Sequence, residues 1–323
     1  MSRPPLLEVR RLSVAYHRRR GLFGRAETVH AVTDVSFTVQ RGETLGLVGE
    51  SGCGKSTLAR AIVRLLPVVS GSVTFDGVDL LSLDPAALRR MRRRIQIIFQ
   101  DPATSLNPRM RIGPTVREGL LIHRLAEGAD ADRRTRELLD EVGLPRDSFD
   151  RWPHELSGGQ RQRVSIARAL AVDPEFLVCD EPVSALDVSV QAQVLNLLAD
   201  LQARRGITYL FIGHDLAVVR HLAPRVAVMY LGRIVEQGPV EALFGSPRHP
   251  YTQALLSAVP VLDPERRRAR ILLPGDPPSP VDVPPGCPFH PRCPYPGKDA
   301  RCSTERPELR ALPDGREVAC HFA

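Results

Sequence analysis

No stretch of this 323-residue chain approaches the roughly 18 consecutive apolar residues that a membrane-spanning helix requires. Its start, MSRPPLLEVRRLSV, has no long apolar segment followed by a small-residue cleavage site, so it does not read as a secretion signal. The expectation is a soluble, cytoplasmic protein. Aromatic residues are scarce, at 5% of the sequence. The few present do not interleave with the basic runs Arg18–Arg20, Arg89–Arg94 and Arg266–Arg268, so the stacking platforms of a nucleic-acid binder are missing. The net charge of +7 therefore reads as a solvated or membrane-apposed basic face, with nucleic-acid binding as the lesser reading. Cysteine is nearly absent from the first 259 residues, where only Cys53 and Cys179 occur. Internal repeats are lacking too.

The length allows a full core and suggests one large domain with something smaller attached. Short apolar runs that read as strands (ETLGLVG at Glu43–Gly49, IQIIFQ, EFLVCDEP, ITYLFIGH, RVAVMYLG) alternate with helical patterns. A helix is expected from Lys55 to a stop at Pro67, and another after Asp84, which sits as a cap before Pro85. A third, SVQAQVLNLLADLQARRG, ends on Gly206. From about Ala103 to Gln160 the pattern is helical and polar, without strong strands. The fold class expected is α/β: a mainly parallel sheet interrupted by a helical insert. The division is a large domain over 1–259, with a helical subdomain at about 103–160, and a different C-terminal extension over 260–323.

GESGCGKST (Gly49–Thr57) matches G-x-x-x-x-G-K-[ST] and lies between a predicted strand and a predicted helix, the context that motif demands. Gly52 and Gly54 let the backbone turn its N–H groups toward phosphate oxygens. Lys55 supplies a point charge for the β- and γ-phosphates, Ser56 a hydroxyl for Mg²⁺, and Thr57 a further phosphate contact. In FLVCDEP four apolar residues deliver Asp180 and Glu181 to the C-terminal end of a strand, where ligands sit in open α/β sheets. Asp180 suits Mg²⁺, and Glu181 suits a general base for an attacking water. Two adjacent glycines in ELSGGQRQRVSIARAL open a second helix able to accept an anion. A second anion site in one chain makes sense if ATP is clamped between two chains.

The order GESGCGKST, Gln100 in IIFQDP, LSGGQ, LVCDEP, SALD and His214 in FIGHD resembles the ABC ATPases, across roughly Leu6 to Gly238. The resemblance implies a RecA-like core with an antiparallel β part and a helical subdomain, and ATP with Mg²⁺ as ligands. It places Gly49, Ser51, Gly52, Cys53, Gly54, Lys55, Ser56 and Thr57 on the nucleotide, with Tyr16 stacked on adenine despite the long insert RRRGLFGRAETVHA behind it. Gln100 would touch Mg²⁺ and the attacking water, and His214 the γ-phosphate; with Glu181 these form the implied catalytic set. Ser157, Gly158, Gly159 and Gln160 would face the nucleotide of a partner ATPase, and Asp187 of SALD would communicate across that pair. GLFGR, FQDPATSLNPRM, HPYTQALL and PPGCPFHPRCP narrow the resemblance to ATPases of dipeptide and oligopeptide importers, with nickel importers related. That implies a peripheral subunit on the cytoplasmic face of the inner membrane, paired with itself or a homologous chain. Two transmembrane permeases and an extracytoplasmic substrate-binding protein would complete the assembly. The alternative is a soluble ABC ATPase of a nucleic-acid-associated or metabolic complex.

The last 64 residues hold 14 of the 29 prolines and four of the six cysteines. Cys287, Cys293, Cys302 and Cys320 are separated by 5, 8 and 17 residues, without the paired knuckles of structural zinc. Cytoplasmic thiols stay reduced, so a metal centre is expected rather than disulfides. An iron–sulfur cluster suits an irregular four-cysteine set, and the resemblance implies the [4Fe–4S] type. Zn²⁺, with His290 or His321 replacing a thiolate, is the alternative. The tail is remote in sequence from every ATP motif, so its role is expected to be structural.

Overall fold

The computed structural model describes residues 4–19, 26–259 and 269–323. The GLFGR segment and Arg266–Arg268 fall outside them. Twelve strands occur among the described residues: β1 (Leu7–Arg19), β2 (Ala26–Val39), β3 (Thr44–Val48), β4 (Ser70–Phe75), β5 (Val78–Asp79), β6 (Ile95–Ile98), β7 (Phe176–Asp180), β8 (Thr208–Gly213), β9 (Arg225–Tyr230), β10 (Arg233–Pro239), β11 (Arg310–Ala311) and β12 (Glu317–Val318). The chain forms two compact units, one of residues 1–39, 44–81 and 213–323, the other of 40–43 and 82–212.

In the first unit β1 lies between β2 and β4 in an antiparallel sheet of order β2-β1-β4-β5. A second set runs β11-β12-β10-β9-β3, with β3 and β9 parallel and the other pairs antiparallel. β3 is buried along its whole length, as a run of apolar residues without alternation requires. The helix Lys55–Ile62 follows it and ends four residues short of Leu66, sooner than the pattern predicts. Arg64 takes a left-handed conformation (φ 55°), and its guanidinium donates to the Leu80 carbonyl at 3.1 Å, which turns the chain out of the helix before Pro67. The tail extends this unit: Val318 of β12 pairs with Glu236 of β10.

In the second unit β8, β7 and β6 run parallel, in the registers Phe176↔Thr208 and Ile95↔Phe176. β7 and β8 are buried at every position. Asp84 caps the helix Pro85–Arg94 by accepting from the Ala87 N–H at 2.8 Å, as expected. Between β6 and β7 the chain is helical throughout: Pro102–Ser105, Ile112–Ile122, Gly128–Glu141 and Gly158–Leu170, with two 3₁₀ turns. The helix Gly158–Leu170 buries Val164, Ile166, Ala167, Ala169 and Leu170, so its apolar stripe is committed to packing while its first turn stays near the surface.

Candidate nucleotide-binding site

In the first unit Gly49–Thr57 bridges β3 and the helix Lys55–Ile62. Two glycines are required there by contact. A Cβ on Gly54 (φ 105°) would stand 2.2 Å from the Ala31 carbonyl oxygen, and one on Gly49 would stand 2.2 Å from that of Met229. Backbone cannot yield to such contacts as a flexible side chain can, so only glycine lets the loop curl into a cradle. Lys55 is almost wholly buried, and its Nζ donates to the carbonyls of Gly49 (2.8 Å) and Glu50 (3.0 Å). Cys53 is buried beneath the loop; burial pushes its thiol pKa up, and the neighbouring Lys55 charge opposes the rise. Ser51 and Gly52 are exposed on the loop, and Ser56 is half-buried at the helix start. The Tyr16 hydroxyl lies 3.3 Å from Oγ1 of Thr57. The antiparallel pairing of β1 with β2, which sets Tyr16 opposite Val29, brings this tyrosine back across the long insert. His214 is exposed directly after β8.

In the second unit Asp180 is wholly buried at the end of β7, and Glu181 follows in a left-handed conformation (φ 46°). Such a backbone is costly for a residue with a side chain and concentrates at functional positions. It is fixed by hydrogen bonds from the Glu181 N–H to the Ile212 carbonyl (3.1 Å) and from the Ser184 hydroxyl to the Glu181 carbonyl (3.1 Å). Nε2 of Gln100 donates to Oε2 of Glu181 at 2.9 Å. Gln100 lies two residues beyond the end of β6, in the bend that follows, rather than at the strand's end as its run suggested.

Ser157 caps the helix Gly158–Leu170 in a capping box: its Oγ accepts from the Gln160 N–H (3.3 Å), and the Gln160 Oε1 accepts from the Ser157 N–H (3.0 Å). The cap uses an acceptor lone pair and leaves the O–H able to donate. Gly159 is buried with its Cα toward Val190, whose Cγ1 would lie 2.4 Å from an added Cβ. Asp187 caps the helix Val188–Arg205 by accepting from the Val190 N–H at 3.0 Å, and this bond holds its carboxyl below the usual range.

A contact that sequence reasoning missed joins the tail to the phosphate-type loop. Tyr251, Tyr230, Phe289 and His249 form a buried aromatic cluster, with ring centroids 4.7 Å apart for Tyr230–Tyr251 and 5.2 Å for Tyr230–Phe289. From it the Tyr251 hydroxyl accepts the Glu50 N–H at 2.9 Å, and Arg292 pairs with the Glu50 carboxylate at 2.9 Å. The tail therefore touches the phosphate-type loop although it is remote from it in sequence. No local pattern announces this; only the aromatic content of HPY and CPF hinted at a packed rather than loose segment.

The four tail cysteines are free thiols. Burial pushes Cys287 up to about 11 and also raises Cys293 and Cys320, and the Cys287 N–H donates to the Cys302 carbonyl at 2.8 Å. Among the described residues, however, no three His, Cys, Asp or Glu side chains are arranged to hold a metal ion. Also among them, no helix is long and apolar enough to cross a membrane.

Residues 32–184 match the family model for the ABC transporter, and 235–302 match that for the oligopeptide/dipeptide transporter C-terminal region. The chain is 53% identical over 317 residues to a probable peptide ABC transporter ATP-binding protein of Sinorhizobium fredii, covering 98% of this chain and 89% of that one. The chain belongs to the ATP-binding proteins of ABC transporters. As an ABC ATPase it also shares 48% identity with the dipeptide transport ATP-binding protein DppF of Escherichia coli, over 98% of this chain and 94% of the relative. The solved dimer of the ATP-binding cassette MJ0796 bound to ADP and Pi superposes with a TM-score of 0.65 at 29% identity, covering 72% of this ABC ATPase and 98% of that cassette. The expected α/β ABC fold and ATPase activity are thereby shown.

Proposed function

We propose that this ABC ATPase powers the uptake of dipeptides or oligopeptides through a binding-protein-dependent importer. Its C-terminal match to the oligopeptide/dipeptide transporter region is the observation that carries the substrate class. Two such ATPase chains, identical or homologous, would close on ATP beneath two permease subunits at the cytoplasmic face of the membrane. A substrate-binding protein on the far side would select the cargo. The functional division is an ATPase domain over 1–259, its helical subdomain at about 103–160, and an extension over 260–323.

The residues have separable tasks in this reading. Gly49, Ser51, Gly52, Cys53 and Gly54 shape the cradle, Lys55 neutralises phosphate charge, Thr57 adds a hydroxyl, and Tyr16 stacks on the base. Ser56, Gln100 and Asp180 would hold Mg²⁺, which would offset the negative charge developing on the phosphates. The buried carboxylate of Asp180 at a strand end fits an oxygen-liganded dication. Glu181 takes the proton of a water that attacks the γ-phosphorus as the bond to ADP breaks, and Gln100 orients that carboxylate through their 2.9 Å bond. His214 bonds the γ-phosphate. Ser157, Gly158, Gly159 and Gln160 present a hydroxyl, amides and a helix dipole to the partner's nucleotide.

The four tail thiols are proposed to ligate an iron–sulfur centre, Zn²⁺ being the alternative. The backbone contact of Cys287 with Cys302 supports this, and the side chains must rearrange to become a ligand set. Anaerobically purified chain should contain iron and acid-labile sulfide; one equivalent of zinc without iron decides for the alternative. The transport reading is tested by purification from detergent. The tagged chain should bring down two multi-span proteins, and its ATPase should rise with peptide-loaded binding protein. Stimulation by nucleic acid without membrane partners refutes the reading.

A further inference from the structure

We propose that the C-terminal segment is a positioning brace for the phosphate loop, in which Tyr251 and Arg292 fix the Gly49–Glu50 peptide and through it Lys55. The inference rests on Gly49–Thr57 being the nucleotide's phosphate loop. Its carrying observation is that a single peptide unit is held by Tyr251 on one side and by Lys55 on the other. The N–H of that unit, on Glu50, donates to the Tyr251 hydroxyl at 2.9 Å; its carbonyl, on Gly49, accepts from Lys55 Nζ at 2.8 Å. A peptide group is planar and rigid, so rotating its N–H away from Tyr251 also swings its carbonyl away from Lys55.

Arg292 secures the same residue from another side. Its Nη1 lies 2.9 Å from Oε2 of Glu50, and the Glu50 carbonyl takes a second bond from Lys55 Nζ at 3.0 Å. Arg292 is itself buried and held by the turn His290–Arg292, where its N–H donates to the Phe289 carbonyl at 3.0 Å. That turn is strung between Cys287 and Cys293: the His290 N–H donates to the Cys287 carbonyl at 2.9 Å, and the Cys293 N–H to the His290 carbonyl at 3.4 Å. Phe289, one turn residue earlier, is packed into the Tyr230–Tyr251 cluster. The cysteine-rich loop thus delivers a cation to a loop that must itself present positive potential to phosphate. By pairing with Glu50, Arg292 also removes an uncompensated carboxylate from the neighbourhood of Lys55. Both effects hold the loop in a binding-ready shape, so the brace acts on nucleotide affinity rather than on the chemical step.

The test uses the full chain and MgADP, which is not consumed, together with steady-state turnover of MgATP. Tyr251→Phe keeps the ring and deletes only the acceptor of the Glu50 N–H; MgADP should bind about fivefold more weakly, the loss of one hydrogen bond of ordinary net strength. Arg292→Gln should weaken binding to a similar degree, while Arg292→Lys, which keeps the charge, should recover part of the loss. Turnover at saturating ATP should stay within about twofold, and the melting temperature without nucleotide should fall by no more than about 2–4 °C for Tyr251→Phe. If Tyr251→Phe and Arg292→Gln bind MgADP like the unaltered chain, the brace is refuted alone. Weakening that only tracks a fall in melting temperature also refutes it. An unaltered chain that binds no MgADP refutes the phosphate-loop reading first, and the brace with it.

Discussion

Replacing Glu181 by glutamine is the sharpest test of how the second unit does its chemistry. The two side chains have the same shape, and the amide oxygen can still accept from Gln100 Nε2, now at 2.9 Å from Glu181 Oε2. The left-handed backbone at this position (φ 46°) costs the same for both residues, since neither is glycine. Folding should therefore change by no more than about 0.5 kcal/mol. What disappears is the carboxylate charge that lets the side chain take up a proton. Loss of a positioned base costs about 10²–10⁴-fold in rate, or about 3–5 kcal/mol on the barrier. The binding of MgADP, which depends on the loop and not on the base, should persist. Gln100→Ala gives the scale for comparison: it deletes one charge-assisted hydrogen bond to the carboxylate, so a loss of at least about tenfold is expected from orientation alone. The assay is phosphate release by the assembled transporter at saturating ATP, alongside calorimetric titration of the nucleotide. Turnover within threefold of the unaltered enzyme would show that Glu181 is not the base.

Three further outcomes are expected. Ser157→Arg puts a long cation on the exposed start of the helix Gly158–Leu170, so ATP-driven pairing of two chains should be lost in a Glu181→Gln background while nucleotide binding to each chain survives; sizing with ATP measures the first and titration the second, and equal loss of both overturns the two-chain arrangement. Arg316→Met removes the cation 3.8 Å from Glu236, a wholly buried carboxylate that also accepts from the Arg248 and His249 N–H groups, and leaving that charge uncompensated should lower stability by about 3–5 kcal/mol in urea unfolding, with no change if water reaches Glu236 instead. His249 is buried against Phe289, with the Glu236 carboxylate at its backbone and Cys287 in the same cavity; burial pushes its imidazole down to about 3, so the unfolded chain binds more protons below pH 6.5, and stability that is full above 6.5 should fall by about 1.4 kcal/mol per pH unit toward 3, a slope that His249→Asn should flatten in melting curves taken from pH 7 to 5 and that, if unchanged, exonerates His249.

The parts of the site that could be read from the sequence are those whose chemistry is local. A cradle of successive N–H groups is made by neighbours in sequence, so GESGCGKST announces it, and the clash of a Gly54 Cβ with the Ala31 carbonyl explains why glycine stands there. The cap at Asp84 and the capping box at Ser157 and Gln160 are likewise three-residue affairs. Long-range contacts obey no such spacing. Glu50 and Arg292 are separated by 242 positions, and their pairing depends on Phe289 finding Tyr230 and Tyr251, which no periodicity records. The early end of the helix after Ile62 was hidden for a related reason. Arg64 leaves the helical region to reach the Leu80 carbonyl, a tertiary bond that overrides an otherwise helical run. The cysteine spacing pointed to a metal centre, whereas no ligand arrangement is formed among the described residues.

A loop rich in glycine starts with the largest conformational entropy of any chain of its length, and ordering it only when the nucleotide arrives would weaken binding. The structure answers by building walls around it before binding. The Ala31 carbonyl of β2 and the Met229 carbonyl of β9 stand 2.2 Å from where a Cβ on Gly54 or Gly49 would be, so only glycine fits at these two positions. Tyr251 and Arg292 then fix the peptide between them and the rest of the loop, and Lys55 closes back on two of its carbonyls. Three segments far apart in sequence therefore share one task, and the tail is one of them. This is why a change in the cysteine-rich loop, which carries no phosphate ligand, is expected to be felt as a change in nucleotide affinity.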